Sequence, residues 1–86
     1  RAVQVSGALV ILGLTDLTLK RAFGALTTTI EYVRISKLWI ESFGVSRIMV
    51  FEVVGESRYW AIWISRNKAA ALRDYLVQKG VTVAAA

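Results

Sequence analysis

The sequence has 86 residues, 56% of them hydrophobic, a formal net charge of +5, and neither cysteine nor histidine. These absences exclude a disulfide framework, a zinc site built on thiolate or imidazole, and a Cys-His or Ser-His catalytic pair. The length fits one domain over residues 1–86, and the basic balance favours an acidic partner: nucleic acid, RNA above all, or an acidic protein surface.

The sequence opens on Arg1 rather than Met, which leaves room for a removed leader. Val3 and Val5 alternate with Gln4 and Ser6, as at the start of a strand. Ala8 to Leu14 then runs continuously apolar, the pattern of a first strand buried on both sides in the middle of a sheet. Seven residues are far too few for a membrane span, and no other segment reaches the roughly 18 to 20 apolar residues required. A cytoplasmic protein without a transmembrane segment is expected.

Thr15 or Asp16 is suited to cap a helix. Leu19, Phe23, Leu26, Ile30, Val33, Lys37 and Ile40 follow in steps of four and three, a helical stripe broken only by the lysine. Asp16–Lys20, Glu31–Arg34 and Lys37–Glu41 stand at helix-pairing distances, and Gly44 lies where a left-handed cap is wanted. One helix of roughly 40 Å would result at 1.5 Å per residue, overhanging the sheet and needing a partner. The less favoured alternative breaks it near Gly24, because Thr27, Thr28, Thr29 and Ile30 are β-branched and TTTIEYVRI has the make-up of a strand.

Ile48 to Ser65 reads as a hairpin of strands Arg47–Val54 and Arg58–Ser65 about Gly55-Glu56. A two-residue primed turn there sets Phe51 opposite Trp60 and Met49 opposite Ile62. These four, with Val53 and Ile64, form one strongly apolar face; Ile48, Val50, Glu52, Tyr59, Ala61 and Trp63 fall on the other. Ser65 to Lys79 is a helix started by Ser65 or Asn67 and ended by Gly80, with Ala69, Leu72 and Leu76 buried and Tyr75 at the edge. Val81-Thr82-Val83 reads as a short last strand.

The resulting order β-α-β-β-α-β is the ferredoxin-like plan, an α+β fold with an antiparallel four-stranded sheet, two helices on one face, and an unusually long first helix. Its central strands would be ALVILGL and YWAIWI, the most apolar in the chain.

No phosphate loop, dinucleotide fingerprint, cofactor site or metal site is recognisable, and a non-enzymatic protein is expected. Glu52 is the one carboxylate set mid-strand, a formal candidate for a general base but more ordinarily a hydrogen-bonded surface group. Arg66 and Lys68 flank Asn67 at a helix start, where the dipole disfavours cations by about 0.3–1 kcal/mol each unless an anion docks. Arg47 and Arg58 lie near opposite ends of the hairpin. Tyr59 and Trp63 share its less apolar face, where open sheets stack single-stranded bases. The nucleic-acid-binding candidates are therefore Arg47, Arg58, Tyr59, Trp63, Arg66, Asn67 and Lys68, for an RNA-docking module or ribonucleoprotein component. The alternative is a self-assembling scaffold subunit, a homo-oligomer or filament that buries Tyr59 and Trp63, and with them Trp39 and Phe43, against another copy.

Overall fold

Asp16 to Phe43 is built of strands. In the computed structural model, which describes residues 1–57 and 59–84, that stretch holds β3 (Asp16–Arg21), β4 (Leu26–Glu31) and β5 (Ile35–Phe43), joined by single 3-10 turns at Ala22–Gly24 and Tyr32–Arg34. Before them lie β1 (Ala2–Val5) and β2 (Ala8–Leu12); after them come β6 (Ser46–Val53), β7 (Trp60–Ser65) and one helix, α1 (Arg66–Gln78). The ferredoxin-like plan and its long first helix are thus overturned. The chain is an α+β protein with antiparallel sheets β1-β2-β3-β4 and β5-β6-β7 and a C-terminal helix.

The cause is local. In β3, Leu17 and Leu19 are buried while Thr18 and Lys20 point away, the period of two that a half-buried strand demands. β4 carries the β-branched run Thr27 to Ile30, which crowds a helix and suits a pleat. The apparent helical stripe is not a buried face: Val33 is 86% exposed and Leu26 64% exposed.

Ala8 to Leu12 does occupy the interior of its sheet, between β1 and β3. Its burial alternates, however, so only one side faces the core. Val3 and Val5 belong to a separate strand, folded back through Ser6-Gly7.

The β6–β7 pair keeps the expected register: Phe51 faces Trp60 and Met49 faces Ile62. The turn differs. Glu56 N–H donates to the Val53 carbonyl at 3.1 Å and Gly55 has φ +86°, which puts the glycine third in the turn rather than first in a primed pair. The turn is also pinned sideways, since Val54 N–H donates to Arg34 O (2.8 Å) and Arg34 Nη2 donates to Val54 O (2.9 Å).

Helix α1 follows Ser65 directly, although the Ser65 side chain makes no capping hydrogen bond. Ala69, Leu72 and Leu76 are buried in the same core as Leu17, Leu19, Leu38, Met49 and Phe51, so both sheets and the helix share one interior. Gly80, at φ +90°, turns the chain back to β5. There Leu38 N–H donates to Thr82 O (2.9 Å) and Ala84 N–H donates to Leu38 O (2.8 Å). The expected last strand is therefore a single parallel bridge between Leu38 and Val83. No helix among the described residues is long and apolar enough to cross a membrane.

Candidate functional site

The three-stranded sheet has an inner face and an outer face, set by alternation along each strand. Leu38, Met49, Phe51, Ile62 and Ile64 point inward and are buried. The opposite parity puts Lys37, Trp39, Glu41 and Phe43 of β5, Ile48, Val50 and Glu52 of β6, and Ala61 and Trp63 of β7 on the outer face. Cross-strand pairing lines them up: Trp39 with Val50 and Ala61, then Glu41 with Ile48 and Trp63. Val50 is buried beneath its neighbours, and Ile48 is half-buried.

Aromatic rings stand over this floor in two pairs. Trp39 and Tyr59 meet edge to face with centroids 5.2 Å apart at 79°, and Phe43 and Trp63 do so at 5.8 Å and 60°. Both geometries match the preference of ring quadrupoles for an edge against a face. Tyr59, Trp63 and Phe43 are nevertheless 58%, 48% and 52% exposed. Val45, in the β5–β6 turn, is also exposed. Such a contiguous apolar surface marks a place where something docks.

The face carries few charges. Lys37 Nζ lies 4.0 Å from Glu52 Oε2, and its ammonium sits 5.6 Å from the Trp39 ring centroid. Ser36 Oγ donates to Glu52 Oε1 at 2.8 Å. Glu52 is therefore a surface carboxylate partnered by Lys37 and Ser36. No group of three or more metal-ligating side chains occurs among the described residues.

The expected anion site is dispersed. Lys68 Nζ donates to the Gln4 carbonyl at 2.7 Å, fastening α1 to β1 rather than aiming at the helix start. Arg47 belongs to the inward parity of β6, and its Nη1 donates to Gly44 O (2.9 Å) and Ser46 O (3.0 Å) of its own hairpin. Arg66 and Asn67 are exposed at the beginning of α1. Arg58 lies outside the described residues. Of the seven candidates, the fold brings Tyr59 and Trp63 onto one face and adds Trp39 and Phe43 to them. Those two rings reach it from a strand rather than from the end of a helix.

Sequence reasoning missed a second feature, the treatment of the sheet edges. Arg21 Nη2 donates to Ala61 O (2.8 Å) and Ser6 N–H donates to Trp63 O (3.3 Å), so the free edge of β7 is stopped twice. Between β4 and β7 lies a groove of about 360 Å3 lined by Leu19, Arg21, Leu26, Thr28, Tyr59, Trp60 and Ala61. The alternation of Leu17 and Leu19 with Thr18 and Lys20 was the signal that could have located this corner.

Comparison of the chain with protein-family models, with curated proteins and with solved structures finds no match.

Proposed function

We propose that this protein is a non-enzymatic interaction subunit that assembles with further copies of itself through the outer aromatic face of β5-β6-β7. The observation that carries the reading is the pair of edge-to-face ring contacts left half in water, Trp39 with Tyr59 and Phe43 with Trp63. Rings already locked by a neighbour lose little side-chain entropy when a partner covers them, which is how aromatic anchors serve at interfaces.

The charges on the face favour a protein partner over RNA. Among the described residues, one lysine stands there against two glutamates, Glu41 and Glu52, and Glu41 is in the row of Trp63. Base stacking brings phosphates close to the rings it uses, and a carboxylate beside the ring opposes them. Other cations among the described residues, such as Arg66 and Lys79, lie off this face. RNA docking keeps one argument, the exposed Arg66 and Asn67 at the start of α1.

Light scattering across a concentration series, after nuclease treatment, tests the proposal. The wild type should show a mass above that of one chain that rises with concentration, and Trp39→Ser with Trp63→Ser should lower it while leaving the circular dichroism spectrum intact. A wild-type monomer at every concentration, or a mass that collapses when nuclease removes bound RNA, overturns it.

A further inference from the structure

We infer that β4 is a second self-pairing surface, on which the Leu26–Glu31 edge of one copy joins the same edge of another in antiparallel register about Thr28. This contact lies on the other sheet and does not depend on the aromatic face.

Two open sheets have four edges, those of β1, β4, β5 and β7. An unpaired edge is a template for pairing, and folded proteins close, charge or kink it. Three of these edges are met by another element at one or two points. β5 is covered by Thr82–Ala84 through Leu38. β7 is stopped by Arg21 at Ala61 and by Ser6 at Trp63. β1 is held at the Gln4 carbonyl by Lys68 from α1. Only β4 has no such cover among the described residues: beyond its ladder with β3, no hydrogen bond ties its backbone to another element. It also lacks the usual guards, for Leu26–Ile30 contains no lysine, no proline and no inward charge.

The strand is then self-complementary. A two-fold contact requires that residue i meet residue j and that j meet i. Read about Thr28, the sequence Leu26-Thr27-Thr28-Thr29-Ile30 sets leucine against isoleucine at both ends, threonine against threonine at the three positions between, and Glu31 against Ala25 rather than against another charge. Threonine pairs across strands are stabilising, and one already forms within the sheet, where the Thr18 and Thr29 hydroxyls lie 3.2 Å apart across β3 and β4. Leu26, now mostly in water, gains an apolar neighbour from the second copy, beside the groove that ends at Trp60. The product is a continuous eight-stranded sheet with its axis at Thr28.

The absence of native cysteine makes the register readable by oxidation. In a Trp39→Ser, Trp63→Ser background, which removes the aromatic contact, Thr28→Cys should cross-link to itself. Thr27→Cys mixed with Thr29→Cys should cross-link as a heterodimer, and neither of these should do so with its own kind. A shift of two residues leaves their Cα atoms beyond the roughly 7 Å a disulfide spans. Thr27→Lys with Thr29→Lys, at exposed positions, should weaken the dimer about tenfold or more by setting like charges opposite each other. Failure of Thr28→Cys to cross-link, or equal cross-linking at all three positions, overturns the pairing, whatever the aromatic variants do.

Discussion

Arg21 reaches from β3 across the open corner of the molecule to the carbonyl of Ala61 on β7, with Nη2 2.8 Å from the oxygen and the guanidinium carbon 5.7 Å from the centre of the Trp60 ring. One side chain thus ties the four-stranded sheet to the three-stranded sheet where their backbones do not pair. The contact is partly in water, so its worth is that of a solvated charged hydrogen bond with a weak ring contact. Arg21→Ala should destabilise the fold by about 1 kcal/mol in urea unfolding. Arg21→Lys should recover only part of that, because an ammonium lacks the planar fork that satisfies a carbonyl while lying over a ring.

The indole nitrogen of Trp60 is buried and has no hydrogen-bond partner among the described residues. A buried donor left unpaired costs about 1–3 kcal/mol. Trp60→Phe removes that donor at the expense of some apolar area, worth a similar amount at about 25 cal/mol per Å2. Stability should therefore change by less than about 0.5 kcal/mol, unusually little for a large-to-smaller change facing a core. Chemical denaturation of the variant against wild type checks it, and a loss of 2 kcal/mol or more would show that the nitrogen is satisfied.

Tyr32 and Tyr75 both donate their hydroxyls to the Gly13 carbonyl, at 2.8 and 3.2 Å, and their rings meet 6.3 Å apart. Burial pushes the Tyr32 hydroxyl above its ordinary value of 10, with Tyr75 and the charge of Asp16 adding to the rise. A raised folded-state value means that the folded chain holds this proton more tightly than the unfolded chain. The stability so gained is complete below pH 10 and is lost as the pH climbs above it. Melting temperature should hold up to about pH 10 and then fall, while Tyr32→Phe should melt lower near neutrality, by about 1 kcal/mol, and show a shallower alkaline decline.

Gly55 and Ala22 form an opposed pair of backbone tests. Gly55 sits at φ +86°, and a Cβ added there would stand 3.5 Å from Arg34 Nη2, ordinary contact, so the cost of Gly55→Ala is conformational: about 1–2 kcal/mol. Ala22 already occupies such a conformation, at φ +50°. Ala22→Gly should relieve it and raise stability by about 0.5 kcal/mol, the strain removed being partly offset by the freer unfolded chain. Thermal melts of the two variants should move in opposite directions.

The helix from Arg66 to Gln78 was legible because its buried positions, Ala69, Leu72 and Leu76, recur at one period along an unbroken element. The Phe51–Trp60 register was legible for a similar reason: once two strands are joined by a short loop, alternation leaves few ways to match their apolar faces. Asp16 to Phe43 was not. Three strands there are separated by 3-10 turns of three residues each, and the apolar positions of successive strands fell by coincidence at helical spacing. Propensity in Thr27–Ile30 and alternation in Asp16–Arg21 carried the correct signal against a longer false period. Tyr59 and Trp63 were placed on a shared face by the hairpin alone. That Lys68 is spent on the Gln4 carbonyl depended on β1 lying beside α1, a contact across 64 residues that no local pattern encodes.

The bridge between Leu38 and Val83 bears on how the molecule is made. It joins residues far apart in sequence, so the entropy of closing the intervening loop must be met before the contact returns anything. During vectorial synthesis β5 can pair with β6 long before Thr82–Ala84 emerges, and through that interval its nine-residue outer margin is bare. Nascent chains stalled between Ser65 and Gly80 are accordingly the species most in need of a chaperone, and a protease acting just after Gly80 would convert a finished molecule into one of the same kind.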